Sequence, residues 1–225
     1  MKNKIGWMVG IAAMAMVAAP AGAQETQGKW QVKLLGTAVL PDGKITSVKN
    51  NAAGVPAGTQ SKANDNVVPT LAVEYFFTPN VSVETICCLT QHDVDGRGAL
   101  AGTELVADAK ILPATVTLKY HLPLGPIKPY VGAGPTYFIF IDEKSGATTK
   151  ALGLPKAHLN DKVGAVLQAG VDIPLGANGM GVSLDAKRYF VRPTAHWFDA
   201  AGVEQLATRH KLDPWVLSAG VSFRF

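Results

Sequence analysis

The clearest pattern in the chain is an alternation of apolar and polar positions with a period of two. In the last eleven residues, every odd position from Trp215 to Phe225 is apolar, and the even positions are mostly small or polar. Successive side chains of a β-strand point to opposite faces of a sheet. The pattern therefore predicts a C-terminal strand with one apolar face.

Seven further segments have the same character, although one of them is apolar on both faces and leaves its register open. Each is about ten residues long, enough for a tilted strand to cross a bilayer. With the C-terminal strand they make eight: residues 30–40, 70–77, 80–90, 112–122, 129–141 (the doubly apolar one), 164–173, 182–191 and 215–225.

The connections between these strands alternate in length. Short turns containing Pro, Gly or Asn occupy residues 78–79, 123–126 and 175–178, whereas the other connections are long, at about residues 41–66, 92–109, 142–161 and 192–211. Short turns at one end and long loops at the other are typical of outer-membrane barrels. The sequence predicts an all-β fold, an eight-stranded antiparallel transmembrane β-barrel with short periplasmic turns and long extracellular loops.

Alternation alone does not separate a membrane barrel from a soluble lipocalin-like barrel, whose apolar face points inward. The less apolar face here has many small residues, such as Ala72, Gly170, Ser183 and Gly220, which suit a narrow lumen. Aromatic residues near strand ends predict the two girdles of a membrane barrel. One rim is expected from Trp30, Tyr75, Phe77, Tyr120, Tyr130 and Phe223, and the other from Tyr137, Phe140, Phe190 and Trp215.

The N-terminus reads as a secretory signal peptide. Lys2 and Lys4 precede an apolar stretch, and Ala21-Gly22-Ala23 matches a cleavage site, so we expect cleavage before Gln24. An uncleaved membrane anchor is the alternative. The expected domains are a signal peptide at 1–23 and a barrel at 24–225, in the outer membrane of a Gram-negative bacterium.

Composition narrows the function classes. The formal net charge of +4 falls to +2 without the leader, and charged residues make up 17% of the 225 residues. Such a weak, scattered charge argues against a nucleic-acid partner. Cys87 and Cys88 are too few for a disulfide scaffold, and as neighbours on a strand they should point to opposite faces as free thiols.

Local patterns along the mature chain resemble the OmpW family of outer-membrane proteins (outer-membrane protein W and AlkL-like proteins). They include WQVK at 30–33, PTLAVEYFFTPN at 69–80, PYVGAG at 129–134, QAGVD at 168–172, LDP at 212–214 and the terminal FRF. The resemblance implies an eight-stranded barrel and passive uptake of small hydrophobic molecules, with exit sideways through the wall. The Cys87-Cys88 pair is not part of that pattern.

Strand direction assigns a height to each inward residue if both chain ends are periplasmic. The lower half then receives a charged set, which we interpret as a polar plug or as core stabilisation: Lys33, Glu74, Glu84, Lys119, His121, Asp172, Asp185 and Arg224. The upper half receives an apolar pocket. Its expected solute path is Leu35, Val39, Ile86, Val166, Tyr189 and Val216, with Cys88 beside them and Trp197 near the mouth.

Several features have competing interpretations. Pro113 and Pro135 lack ladder donors and mark either a weakened wall or ordinary strand ends or bulges. Trp197, Phe198, Leu152 and Leu154 form either an apolar funnel at the mouth or loop packing and lipopolysaccharide contacts. Residues 154–160 are predicted to make a helical turn.

No catalytic motif, metal-ligand spacing or cofactor fingerprint is found in the sequence, so we predict no enzyme activity, no metal and no cofactor. The four loop histidines, His92, His158, His196 and His210, are expected to be solvated. A lipid-modifying enzyme would require a set such as Ser145, His196 and Asp199 at the outer rim. The other alternative is a structural envelope barrel or surface receptor with a filled, non-conducting lumen. The expected partners are outer-membrane lipid and lipopolysaccharide, a small hydrophobic solute, and the barrel assembly machinery, which reads the terminal Phe225.

Overall fold

The computed structural model describes residues 28–122 and 124–225, so the predicted signal peptide lies outside the described residues. The strands within these ranges are β1 (Trp30–Leu40), β2 (Lys44–Asn51), β3 (Gln60–Ala63), β4 (Asn66–Phe76), β5 (Val81–Cys87), β6 (Thr90–Arg97), β7 (Glu104–His121), β8 (Lys128–Ile141), β9 (Lys144–Ser145), β10 (Lys156–Leu159), β11 (Lys162–Pro174), β12 (Met180–Phe190), β13 (Thr194–Phe198), β14 (Glu204–Lys211) and β15 (Trp215–Arg224). A 3₁₀ turn, Gly98–Leu100, and a short helix, α1 (Ala147–Ala151), complete the described elements. In this part of the chain, no helix has the length and apolar character needed to cross a membrane.

Eight of these strands close into an antiparallel barrel, as predicted. Their order is β1-β4-β5-β7-β8-β11-β12-β15, and β15 pairs back onto β1 from Gln31↔Arg224 to Leu40↔Trp215. The backbones of Trp30 and Phe225 add two further hydrogen bonds, of 3.0 and 2.8 Å, to this closure. Closure leaves the barrel without a free edge along this junction, which a sheet in hydrocarbon requires.

The two faces of the wall differ as the alternation predicts. On β1, Lys33 is 1% exposed while its neighbour Leu34 is 60% exposed. The same contrast continues around the barrel, where outward residues such as Leu71, Leu118 and Leu167 are exposed. The outer surface is therefore an apolar band suited to lipid, and the inward residues fill the lumen.

The long extracellular connections contain strands of their own and are not irregular loops. A second sheet, in the order β10-β13-β14-β2, is built from the first, third and fourth of them. The predicted single strand at 80–90 is in fact two: β5 ends at Cys87, and β6 continues the pairing with β7 from Thr90↔Ile111. The predicted helical turn at 154–160 is wrong, because Lys156–Leu159 forms strand β10 beside β13 and the helix lies earlier, at Ala147–Ala151.

Most of the predicted rim aromatics face outward, but two do not. Trp30, Tyr75 and Phe77 form a contiguous lower group with ring centroids 4.9 and 5.2 Å apart. Tyr130 and Phe140 are buried inside instead. Both lie on β8, the strand whose doubly apolar pattern left its register open, and pairing of Tyr130 with His121 and Gly170 sets it inward.

Glycine makes room for Tyr130 in the lumen. A Cβ atom built on Gly170 would lie 2.4 Å from the Tyr130 hydroxyl oxygen. Any larger residue at position 170 would therefore push the ring away. At Gly170, a small inward residue recognised in the sequence thus accommodates a large neighbour on an adjacent strand.

We predict that Phe225→Ser lowers the amount of folded barrel in the outer membrane without changing the intrinsic stability of the folded protein. The side chain is 59% exposed, so little packing is lost, whereas the proposed assembly signal is removed. Surface abundance and urea unfolding of the purified barrel measure the two effects. Phe77→Ser, at a 57% exposed outward position, is the matched control. Normal surface abundance of Phe225→Ser would contradict the signal role.

Candidate functional site

The lower lumen contains a buried ionic network of three lysines and four carboxylates. Lys33 Nζ lies 2.9 Å from Glu74, 3.3 Å from Glu84 and 3.2 Å from Asp172. Lys119 Nζ lies 2.9 Å from both Glu74 and Glu84. Lys187 Nζ joins Glu84 at 3.1 Å to Asp185 at 2.7 Å. Every one of these side chains is buried.

Neutral groups saturate the remaining oxygens of this network. Gln168 Nε2 donates to Glu84 at 2.9 Å and to Asp185 at 2.6 Å, and the Tyr130 hydroxyl donates to Asp185 at 2.7 Å. The Ser183 hydroxyl donates to Asp172. Buried charges persist only when they are paired and hydrogen-bonded in this way.

An aromatic layer lies directly beneath the network. Phe76, His121 and Tyr130 follow one another with ring centroids 4.9 and 5.2 Å apart. From above, Lys119 Nζ lies 3.7 Å from the centre of the Tyr130 ring. From below, the Arg224 guanidinium lies 3.5 Å from the centre of the Phe76 ring. Cations and rings thus alternate in the layer above the periplasmic mouth, where a cleft of about 450 Å³ is open.

The structure brings together seven of the eight residues predicted for the polar plug. Lys33, Glu74, Glu84, Lys119, His121, Asp172 and Asp185 meet in the network or at its lower boundary, where His121 Nε2 lies 2.9 Å from Glu74. Arg224 lies lower, at the periplasmic mouth, where its Nε donates to Gly28 O at 2.8 Å.

Sequence reasoning missed Lys187, Gln168, Tyr130 and Phe76 as members of this set. Lys187 was detectable, because the alternation in β12 places it on the same face as Ser183 and Asp185. Its backbone lies in the layer above the network, and its ammonium group extends down to Glu84 and Asp185. The position of the residue along its strand does not by itself indicate this contact. Tyr130 was hidden by the ambiguous register of β8.

An apolar layer separates the network from the upper lumen. Leu35, Ile86 and Val166 are 4%, 5% and 1% exposed and belong to one continuous buried apolar cluster. They do not line the open space above them. These three predicted path residues therefore form a packed floor.

The open space is a small apolar chamber of about 60 Å³. The Phe138 and Tyr189 rings meet edge to face in its wall, with centroids 5.5 Å apart. The predicted path residues Val39, Tyr189 and Val216 do line it, together with Cys88. Cys87 is exposed on the opposite face, and both thiols are free, as expected.

A larger cleft of about 490 Å³ opens at the extracellular mouth. Trp197, Leu152 and Leu154 line it, with the first and last buried and Leu152 63% exposed. Phe198 lies on the other face of β13. Trp197 and Leu154 belong to the same apolar cluster as Leu35 and Val216, so an uninterrupted apolar core runs from the cleft to the packed floor.

The wall beside the chamber contains a seam that lacks ladder pairing. The pairing of β4 with β5 ends at Leu71↔Cys87. Above it, Asn66 Nδ2 donates to Gln91 O at 2.7 Å. Between these contacts, no backbone pairing joins 67–70 to 88–90 in the described structure. Pro69, which has no N–H group, lies in this stretch.

The wall near Pro113 and Pro135 is tighter. The pairing of β7 with β8 skips two positions between Thr115↔Thr136 and Leu118↔Ala133. The backbones nevertheless touch there, since a Cβ atom on Gly134 would lie 1.9 Å from Val116 O. The interruption at the seam is therefore the longer of the two and the one that adjoins Cys88.

The loop histidines divide into two pairs. The prediction that the loop histidines are solvated is wrong for His92 and His210, which are buried. Burial lowers the pKa of His92 below its usual value and lowers the pKa of His210 to about 4. His158 has a side chain that is 61% exposed, and His196 Nδ1 pairs with Glu204 at 2.6 Å. Over the described ranges, no group of three His, Cys, Asp or Glu residues is placed to hold a metal ion.

The weak enzyme candidates are not assembled into a catalytic set. His196 is engaged by Glu204, and Asp199 accepts hydrogen bonds from Gln205 and the Val203 N–H. The Ser145 hydroxyl is buried without a hydrogen-bond partner. Ser145 therefore has no base within hydrogen-bonding reach, and the acid that engages His196 is Glu204 and not Asp199.

Comparison with known proteins agrees with the fold. The model of the OmpW family matches residues 26–225. The chain belongs to the OmpW family. It is 34% identical to the outer-membrane protein y4mB of Sinorhizobium fredii, over 95% of this chain and 90% of that protein. It is 24% identical to outer membrane protein AlkL of Ectopseudomonas oleovorans, over 88% and 83%.

The structure of OprG, an outer membrane protein from Pseudomonas aeruginosa, superposes with a TM-score of 0.78 at 27% identity, covering 88% of this chain and 96% of that one. This OmpW-family chain is therefore an outer-membrane β-barrel.

The ionic network predicts a strong stability effect at Lys119. We expect Lys119→Met to lower the free energy of unfolding by about 3–5 kcal/mol, because Glu74 and Glu84 stay buried with one cation fewer. Lys110→Met, which breaks an exposed pair with Asp142 at 2.9 Å, should cost about 1 kcal/mol or less. Urea unfolding in lipid vesicles measures both.

The double variant Lys119→Met/Glu74→Gln removes one charge of each sign. It should be more stable than Lys119→Met alone, since the two changes are coupled. Equal losses at Lys119 and Lys110 would contradict a tightly coupled network.

Proposed function

We propose that this OmpW-family barrel mediates passive uptake of small hydrophobic molecules. A solute enters the mouth cleft, moves into the apolar upper lumen and leaves sideways into the outer-membrane bilayer. The observation that carries the proposal is the division of the lumen: a buried apolar core beneath an extracellular cleft lies above a packed and ionic floor. A water-filled channel for polar solutes would instead require a polar lumen that is open from one side of the membrane to the other.

The energy for capture comes from removing apolar surface from water. Burial is worth about 25 cal/mol per Å², so a small hydrocarbon gains several kcal/mol in a site lined by Val39, Phe138 and Val216. The mouth cleft provides the first such surface outside the membrane, around Trp197 and Leu154. Movement inward then exchanges one apolar lining for another.

Passage downward is opposed by the charged floor. A solute that crossed it would have to separate Lys33, Lys119 and Lys187 from four carboxylates in a region without bulk water. Breaking one buried pair already costs several kcal/mol. The bilayer beside the chamber is the apolar destination of lower free energy.

The seam between β4 and β5 is our candidate for the lateral exit. Because no ladder hydrogen bonds join 67–70 to 88–90, separating the strands there costs less than at a paired position. Cys88 lines the chamber on the inner side of this seam. Pro113 and Pro135 lie on another part of the wall, where β7 and β8 remain in contact.

A structural barrel or surface receptor with a filled lumen is the second candidate. The small volume of the chamber, about 60 Å³ against about 490 Å³ for the mouth cleft, favours it, since uptake requires Phe138 and Phe140 to move aside. Tracer flux distinguishes the two functions. A filled barrel leaves the permeability of liposomes to an apolar tracer unchanged.

We predict that Leu35→Asp or Val166→Asp reduces uptake of an apolar tracer into liposomes at least several-fold while the barrel still assembles. Either change puts a charge beneath the chamber and removes part of its apolar floor. Val203→Asp, on the extracellular turn after β13 and 56% exposed, is the control and should leave flux unchanged. Unchanged flux through correctly folded Val166→Asp would exclude the pocket as the path.

A cross-link across the seam tests the exit. Thr70 is the next residue along β4 beyond the last pair, Leu71↔Cys87, and Cys88 is the next residue along the facing segment, so a disulfide between positions 70 and 88 would bridge the start of the seam. In a Cys87→Ala background, we expect oxidised Thr70→Cys to lose uptake and a reductant to restore it. Thr70→Ser should be insensitive to both treatments. Full uptake by the verified cross-linked form would place the exit elsewhere.

A further inference from the structure

Three basic residues, two on neighbouring strands and one on the segment between β12 and β13, lie side by side just above the lipid-facing surface. Lys211 pairs with Lys44 in the register of β14 and β2. Arg192 lies on the other side of Lys211, because the Leu212 N–H donates to Val191 O at 3.1 Å and the His210 N–H donates to Pro193 O at 2.9 Å. We call Arg192, Lys211 and Lys44 the basic row.

Two further arginines lie next to the basic row, one above it and one below it. Arg209 is exposed two residues before Lys211 on β14. Arg188 lies below Arg192 on the outward face of β12, with its guanidinium 5.2 Å from the centre of the Trp215 ring. The carboxylates in contact with this patch are Asp42, 3.1 Å from Arg188, and Asp213, 3.4 Å from Lys211. Five cations thus face two carboxylates.

The clustering costs stability unless an anion is present. Like charges directly opposite each other on neighbouring strands are destabilising, and here two such contacts are adjacent. The inner face of the same strands is neutral and buried around His210. Within the basic row, the described structure gives only Lys211 a carboxylate partner, Asp213 at 3.4 Å.

The height of the basic row points to its partner. Phe190 and Trp215 are exposed aromatic residues at the upper ends of β12 and β15, the position of the upper girdle in a membrane barrel. Arg192 is two residues above Phe190 along the chain. The row is therefore at the level of the headgroups of the outer leaflet, where a lipid phosphate would contact guanidinium and ammonium groups together.

We propose that the basic row, with Arg188 and Arg209, binds the phosphate groups of a phosphorylated glycolipid of the outer leaflet, lipopolysaccharide. Two other lysines on the extracellular side each have an acidic neighbour: Lys110 pairs with Asp142 at 2.9 Å, and Lys62 lies opposite Asp95. The proposed site is independent of solute uptake.

The test compares lipid binding by the folded barrel in detergent, using native mass spectrometry. The probes are bisphosphorylated lipid A, phosphatidylglycerol and inorganic phosphate. The test variant is Lys44→Gln/Arg192→Gln/Arg209→Gln. The control, Lys62→Gln/Lys144→Gln/Lys162→Gln, removes the same charge from exposed positions elsewhere on the extracellular side. The heat-dependent gel mobility of the barrel verifies folding, and Arg192→Gln alone replaces the triple variant if that variant does not fold.

We expect wild type and control to bind lipid A more tightly than phosphatidylglycerol, and the test variant to bind it about tenfold more weakly. Higher ionic strength should weaken binding to the wild type more than binding to the test variant. Equal binding of lipid A by all three proteins would overturn the site. Equal binding of lipid A and phosphatidylglycerol, or binding of inorganic phosphate alone, would overturn lipopolysaccharide as the partner.

Discussion

The requirement that backbone amides and carbonyls be paired in hydrocarbon governs this molecule. An open sheet edge in lipid leaves a row of polar groups without partners, so the wall must close, and β15 does so by pairing with β1 over ten residue pairs. Eight strands enclose a lumen just wide enough to be filled by side chains. The chemical character of the lumen therefore depends on which inward residues lie at which height.

The inward residues form two groups, one charged and one apolar, which occupy separate parts of the lumen. Lys33, Lys119 and Lys187 are retained among carboxylates because every partner is within hydrogen-bonding reach. An apolar solute offers none of these contacts, and the packed layer around Leu35 keeps the chamber separate from them. The weakest ladder pairing and the apolar chamber occur on the same part of the wall, at Cys88. This coincidence, rather than either feature alone, is what supports our proposal of a lateral exit.

The strand count, the faces of β1, β12 and β15, and most of the plug follow from a period of two, since alternation and strand direction together assign a side and a height. The predictions from the sequence are wrong where that period is ambiguous or is interrupted. On β8 both faces are apolar, so Tyr130 was placed at the rim although it is buried against Asp185. After Cys87 the strand breaks, and no local pattern indicated that β6 would resume the pairing with β7.

The amino-acid sequence by itself determined the barrel, its orientation of apolar residues toward lipid, and the inventory of charges in the lumen, because each depends on neighbours two positions apart. Only the tertiary structure decided which charges meet, that Lys187 completes the network, and that Leu35 and Val166 form a floor while Val39 lines a chamber. It also decided that the basic row exists, since Arg192, Lys211 and Lys44 come from three separate segments of the chain. These contacts depend on the register between strands, which is set by closure of the whole barrel and by side-chain packing around it.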